Sequence, residues 1–418
     1  MLIPAPDVAL AEAFLNRLAA ETADTPGVTR DAYGGGEERA HKIATEMATR
    51  AGLEVTRDFA ANLHMVLPGA DRSLPALYTG SHLDSVAHGG NLDGAAGVAA
   101  GLAVAAGFAK AGIAPPRDLV VLATRAEETV WFPVSFCGAR AALGTLPMAA
   151  LDTRRSDTSR TLAEHMIDCH ADPQAIRQAR RSIDPAKARA FIELHIEQGP
   201  VLEGVNRAVA LVPAIAGGPR FREARILGEY AHVGSAPLAS RRDAVAAFAD
   251  LVSQLNEFWR ELDGAGRHVL ATFGVAQTDR TMHAWSKVAG RFDFTLDIRG
   301  TDLDALTAMR RRLAELVGDA ATNWGVKVDL GPDTGPQPGF LDAALHARAR
   351  AAASAVNVPV HIMPSGSGHD ALAFHHAGIP TGFLFIRSQN GGHNPDEAMQ
   401  SKDFEAACRV LAQLAMTL

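Results

Sequence analysis

Short aliphatic runs that break off at a histidine or a carboxylate set the tightest limit on how this chain can fold. Ala76 to Gly80 leads into Ser81-His82-Leu83-Asp84, Asp118 to Thr124 leads into Glu127-Glu128, and Phe191-Ile192-Glu193-Leu194 ends at His195. Such runs read as buried strands, and they alternate with helical patterns: Glu37 to Ala51 is amphipathic and Ala95 to Ala111 is rich in alanine. The alternation points to an α/β layer fold, where ligands gather at strand ends. His82 and Glu127 both lie just past such ends.

At 418 residues the chain exceeds one ordinary core, so two domains are expected. The pattern changes after about residue 212. Phe221 to Gly228 reads as a strand, Arg241 to Leu262 as a helix and His268 to Gln277 as a strand. Arg291 to Arg299 alternates polar and apolar residues as a half-buried strand should. A helix from Asp302 to Ala320 and a strand from Val326 to Leu330 complete a β-α-β-β-α-β set. We expect an inserted domain over 213–330 and a first domain over 1–212 and 331–418, with the turn-rich Gly331 to Gly339 marking the return. Leu341 to Val356 and Asp403 to Leu418 then read as helices, and Thr381 to Ile386 as a strand. His393 therefore belongs to the first domain despite its late position.

The chemistry lies in residues of ligand type. His82 and Asp84, followed by Asp93 inside Gly89-Gly90-Asn91-Leu92-Asp93-Gly94, let an imidazole and a carboxylate meet one divalent ion. A carboxylate has a second oxygen with which to bridge another ion. Glu127-Glu128, His195 and His393 supply further donors, and together they read as a two-metal hydrolase site. Taken singly, each has a plainer account: a strand-end hydrogen-bonded pair, a solvated helix start, a core histidine, a turn. Their joint order argues against those. Small residues from Gly94 to Gly97 would let a helix begin close to Asp93. A formal net charge of −7 without long basic runs gives no support for nucleic-acid or anionic-membrane binding. Cys137, Cys169 and Cys408 have no metal-finger spacing and suit a reducing compartment, and Cys137 has no histidine partner in sequence for a thiol nucleophile. Met1 to Asp7 lacks a basic region followed by an apolar core, and no run approaches membrane-spanning length, so cytoplasmic residence is the expectation.

Five segments in order carry a family resemblance: Tyr78 to Val86, Gly90 to Gly94, Glu127-Glu128, Glu193-Leu194-His195-Ile196-Glu197-Gln198-Gly199-Pro200 and His393-Asn394-Pro395. They resemble the M20 metallopeptidase superfamily, and the Glu193 to Pro200 segment is characteristic of its hydantoinase/carbamoylase amidases, which include N-carbamoyl-L-amino acid hydrolases, β-ureidopropionases and allantoate amidohydrolases. The resemblance implies a zinc-aminopeptidase-like catalytic domain with an inserted ferredoxin-like domain serving as lid and dimer interface. It implies two divalent ions per subunit, one held by His82, Asp93 and His195 and the other by Asp93, Glu128 and His393. Nitrogen and oxygen ligands suit zinc, manganese, cobalt or nickel alike. Asp84 would orient His82, and Glu127 would be the general base, passing a proton from metal-activated water to the departing nitrogen. Arg299 matches the arginine that grips a substrate carboxylate, Arg220 occupies the place of a second substrate-binding arginine, Gln198 would orient the scissile group, and His232 resembles a histidine that reaches a neighbouring subunit's site to stabilise the oxyanion.

The chain departs from the family in two places. Ser286-Lys287-Val288-Ala289-Gly290 stands where an Asn-x-Ile-Pro-Gly-like run is usual, and Val233 and Ser235-Ala236 flank His232 where Ala and Ala-Thr are usual. The expectation is therefore an amidohydrolase cleaving a linear C–N bond in an N-carbamoyl or N-acyl monocarboxylate rather than allantoate. An aminoacylase or dipeptidase of the same superfamily is the near alternative, and a catalytically silent binding or assembly protein the distant one. His369-Asp370 either lines the site or caps a helix, and His88, His375 and His376 read as structural.

Overall fold

The computed structural model describes residues 3–418; Met1 and Leu2, the start of the segment read above for targeting, lie outside the described residues. The chain divides into two compact units, the first ending at Pro213 and resuming over Leu341–Met363 and His369–Leu418, the second spanning Ala214–Phe340 and Pro364–Gly368.

The first unit is built on an eight-stranded sheet in the order Val360–Ile362, Val209–Leu211, Thr381–Ile386, Ala188–Ile196, Ala76–His82, Leu119–Thr124, Leu63–Leu67, Glu54–Arg57. The four central strands, Thr381–Ile386 through Leu119–Thr124, run parallel, so their C-terminal ends share one edge of the sheet. Their inward residues are aliphatic and buried, Leu77, Val121, Ile192, Leu194 and Leu384 among them. The helix Ala95–Ala111 lies directly on these strands because small residues let it come close. A Cβ at Gly97 would stand 2.1 Å from the Leu194 carbonyl oxygen, so only glycine admits this approach. The expected strand at Ala76 extends two residues further and carries His82 at its last position.

The second unit has the β-α-β-β-α-β order read from the sequence, with Arg220–Leu227, Ala244–Gly264, Val269–Thr272, Arg291–Gly300, Leu303–Trp324 and Lys327–Asp329. Its antiparallel sheet runs Val269–Thr272, Arg291–Gly300, Arg220–Leu227, Lys327–Asp329, the ferredoxin-like order. Alternation in Arg291–Gly300 is complete: Phe292, Phe294, Leu296 and Ile298 are buried with the helix residues Leu251, Leu255, Met309 and Leu313, while Asp293, Thr295, Asp297 and Arg299 take the other face. Both helices start on an aspartate whose side chain accepts from the first turn, Asp243 and Asp302. The single strand expected over His268 to Gln277 is two, Val269–Thr272 and Ala276–Thr278, both against Arg291–Gly300. The break occurs where the Thr295 hydroxyl, rather than a backbone carbonyl, takes the Val275 N–H at 3.0 Å. Gly331 to Gly339 stays with this unit, since Gly339–Phe340 pairs with Ala214–Ile215.

Candidate metal centre

Three of the four parallel strands deliver donors to one edge. His82 closes its strand, His195 is the penultimate residue of Ala188–Ile196, and Glu127 and Glu128 follow Leu119–Thr124. The loop after Thr381–Ile386 brings His393, and the turn before the helix Ala95–Ala111 brings Asp93. Donor atoms of His82, Asp93 and His195 lie within 4.8 Å of one another, and so do those of Asp93, Glu128 and His393. Asp93 gives one oxygen to each group: its Oδ1 faces His195 Nε2 at 3.0 Å and His82 Nε2 at 3.7 Å, while its Oδ2 faces His393 Nε2 at 3.1 Å. Glu128 Oε1 stands 3.1 Å from the same His393 nitrogen.

The tautomers explain why this arrangement fits a metal ion. His82 Nδ1 lies 3.1 Å from the Asp84 carbonyl oxygen and His195 Nδ1 lies 2.8 Å from that of Ile196. A carbonyl only accepts, so each Nδ1 carries a hydrogen, and each Nε2, which faces Asp93, is the atom left to take up a cation. A neutral Nε2 would repel that carboxylate oxygen, so a positive charge, a proton or a metal ion, belongs between them. The second group wants positive charge as well: hydrogen bonds to Asp93 and then Glu128 push the His393 imidazole up to about 11. Asp84, Asp93, Glu127 and Glu128 are all buried, a density of negative charge that two divalent ions would balance.

Asp84 does more than the sequence suggested. Its carboxylate accepts the N–H groups of Glu127 and Glu128, both at 3.0 Å, with His82 Nδ1 3.3 Å from Oδ1. One aspartate thus ties the strand end bearing His82 to the turn bearing both glutamates. Burial, joined by the charge of Glu128 and opposed by His82, holds the Glu127 carboxyl well above the ordinary carboxylate range. A raised carboxyl pKa favours uptake of a proton, as a general base requires. Gln198 is held by its N–H on the Ser388 hydroxyl and donates its side-chain amide to Asp93 Oδ2 at 2.9 Å.

Two buried carboxylates lie behind the site: Asp370, of the His369-Asp370 pair read above as lining the site or capping a helix, and Glu193, whose role was not legible in sequence. Glu193 accepts from the Ser81 hydroxyl at 2.6 Å and the Ala371 N–H at 2.7 Å, and Asp370 accepts from Thr124. Glu193 sits in a strand that reads simply as buried, and only sheet pairing reveals what it meets. His369 is buried with its ring 4.4 Å from that of His195 and 4.6 Å from that of Phe383, so it packs behind the first donor group; it occupies the N-cap position without a side-chain cap bond. Cys137 is fully buried with its thiol pushed up by burial.

The remaining predicted residues belong to the second unit. Arg220 and Arg299 both pair with Asp297, at 3.1 and 2.6 Å, on the sheet face opposite the helices. His232 is exposed on Ala231–His232, paired with Lys287–Val288, and its Nδ1 accepts the Gly234 N–H at 3.1 Å, which leaves Nε2–H as an outward donor.

A family model described as peptidase family M20/M25/M40 matches residues 67–417. An N-carbamoyl-L-amino-acid amidohydrolase from Paenarthrobacter aurescens is 31% identical over 409 residues, 97% of each chain. Allantoate amidohydrolase from Escherichia coli (strain K12) is 32% identical over 373 residues, 88% of this chain and 87% of that one. The crystal structure of an amidase of the hydantoinase/carbamoylase family from Burkholderia vietnamiensis superposes with a TM-score of 0.84 at 28% identity, over 99% of this chain and 97% of the other.

Proposed function

We propose, for a chain that belongs to peptidase family M20/M25/M40, that it hydrolyses the linear C–N bond of an N-carbamoyl or N-acyl amino-acid-like monocarboxylate. It is a hydrolase of non-peptide C–N bonds in linear amides, as its relatives are named. The convergence of His82, Asp93, Glu128, His195 and His393 on one shared carboxylate, with Glu127 beside them, carries this reading.

His82, Asp93 and His195 would hold one divalent ion, and Asp93, Glu128 and His393 the other, from among zinc, manganese, cobalt or nickel. Bound there, such ions polarise the scissile carbonyl and lower the pKa of the attacking water. Glu127 takes the proton of that water on its carboxylate and returns it to the departing nitrogen. Asp84 keeps Glu127 in place through its N–H, and Gln198 orients the scissile group beside Asp93. Arg299 and Arg220, whose guanidinium groups Asp297 orients, grip the substrate carboxylate. His232 stabilises the developing oxyanion from a second copy in a homodimer, for which its exposed position and outward Nε2–H are suited. The second unit then serves as lid and dimer interface. Among the described residues no helix is long and apolar enough to cross a membrane, and three buried free cysteines fit our expectation of a cytoplasmic enzyme.

The test is product analysis of the metal-reconstituted protein on N-carbamoyl, N-acetyl and dipeptide forms of several amino acids, beside Glu127→Gln. We expect turnover of a carbamoyl or acyl substrate and a loss of about 10²–10⁴-fold in kcat in the metal-replete variant. Turnover of dipeptides alone would make it a dipeptidase, and wild-type kcat in Glu127→Gln would remove Glu127 from the mechanism.

A further inference from the structure

Asp93 sits on a loop whose carbonyls at Leu92 and Asp93 accept the N–H groups of Ala96 and Ala95, whereas its own N–H turns to a distant residue. Its N–H and that of Leu92 both point at Glu397 Oε2, at 3.2 and 3.1 Å. The other oxygen of Glu397 accepts the N–H of His393 at 2.9 Å. One carboxylate therefore joins the backbone of the shared donor to the backbone of a donor that lies far away in the chain. The same loop is gripped from its carbonyl side by Arg30, which is 0% exposed. Arg30 donates through Nε to the Leu83 carbonyl at 2.7 Å, through Nη1 to the Asn91 side chain at 3.1 Å, and through Nη2 to the carbonyls of Asn91 and Asp93, both at 3.4 Å. Each of these acceptors is neutral; burial lowers the pKa of this guanidinium, opposed through space first by Asp93 and then by Glu397.

We propose that Glu397, backed by Arg30, is a positioning residue that locks Asp93 and His393 into one geometry and so sets the affinity for the second metal ion. The proposal rests on the metal-centre reading above. A carboxylate is required because the three N–H groups approach both oxygens; a carboxamide turns one donor group onto a donor. Gly90 supports the same contact from the other side. A Cβ there would stand 2.1 Å from the Glu397 carboxyl carbon, so Gly90→Ala must push the side chain off the loops.

The experiment titrates metal-stripped full-length protein with Co²⁺ alone, following heat and visible absorption, for wild type, Glu397→Gln, Gly90→Ala, Glu397→Ala and the double variant Gly90→Ala/Glu397→Ala. Partners that orient metal ligands typically change affinity by about 10–100-fold, and that weakening is expected for the second ion in Glu397→Gln and Gly90→Ala, with a smaller change for the first and an altered cobalt spectrum. A residue that merely stabilised the fold would lower thermal stability and leave the two ions equally affected. Because the three atoms nearest a methyl group at position 90 all belong to the Glu397 side chain, the double variant should bind as Glu397→Ala does, a non-additivity that the contact requires. Two ions bound with wild-type affinity and spectrum in both Glu397→Gln and Gly90→Ala would overturn the clamp while leaving the metal centre standing. Wild-type protein that binds no Co²⁺ would instead sink the metal-centre reading and the clamp with it.

Discussion

At Gly94 a positive φ lies directly against the candidate metal centre. This glycine precedes the helix Ala95–Ala111 with φ 65° and ψ −49°, and a Cβ added there would stand 2.6 Å from Cγ, Cδ2 and Cε1 of His82. Carbon atoms pack at about 3.5–4.0 Å, so in Gly94→Ala the imidazole must retreat by about 1 Å. The ring has little room to do so, since Nδ1 is tied to the Asp84 carbonyl and the His195 ring stacks beside it at 5.8 Å. A displacement of about 1 Å at a reacting centre costs about 10²-fold in rate, equivalent to about 2.7 kcal/mol of transition-state stabilisation. The strained backbone adds about 1–3 kcal/mol to the loss of folding stability. Gly112→Ala is the control: it has nearly the same φ, 67°, at the other end of this helix, yet nothing lies within 4 Å of the added Cβ. It should lose about 1–2 kcal/mol of stability and nothing else. Urea unfolding, metal titration and kcat/KM on both variants separate the two terms. Gly94→Ala with wild-type metal affinity and kcat/KM, or Gly112→Ala with the same functional loss, would refute the reasoning.

Arg125, fully buried, pairs with Glu37 at 3.2 Å and Glu38 at 2.5 Å. Arg125→Met strands the buried Glu37 carboxylate and should cost about 3–5 kcal/mol in urea unfolding; a loss under about 1 kcal/mol would show the pair to be dispensable. Burial, helped by the charge of Glu193, pushes Asp370 from its ordinary 3.8 up to about 7. A raised folded-state pKa stabilises below the ordinary value and loses that contribution as pH rises through about 7, so metal-free protein should melt at lower temperature as pH climbs over that window. Asp370→Asn should flatten the slope, and an unchanged profile would exclude Asp370 as its source. Burial pushes the Cys169 thiol up to about 12 and raises those of Cys137 and Cys408 as well. Iodoacetamide at about pH 8 should therefore label native protein at none of the three and unfolded protein at all; rapid native labelling would contradict their burial.

The sequence was most informative where a physical pattern is local. A buried strand announces itself by its aliphatic run, which is why the strands ending near His82, Glu127 and His195 were legible, as was the alternation of Arg291–Gly300. Helix bounds shifted by a few residues: Arg241 to Leu262 became Ala244–Gly264, because Asp243 caps the first turn. Asp84 was read as a partner for His82, yet its main bonds go to the N–H groups of Glu127 and Glu128, more than forty residues on. Arg30, Glu37 and Glu397 carried no signal, and neither the segment that holds Glu193 nor the His369-Asp370 pair told which groups their carboxylates meet, since each looks like an ordinary charged residue until its distant partner is known.

From residue types and their order alone one can infer the α/β class, the inserted β-α-β-β-α-β segment and the set of donor side chains, because periodicity and ligand chemistry are properties of short stretches. Which donors share an oxygen of Asp93, which tautomer each histidine holds, and which buried charges brace the loops were decided by the sheet order that sets Ala76–His82 between Ala188–Ile196 and Leu119–Thr124. Strand neighbours are chosen by the packing of the whole core, a sum over contacts distant in sequence, and no local pattern records that sum.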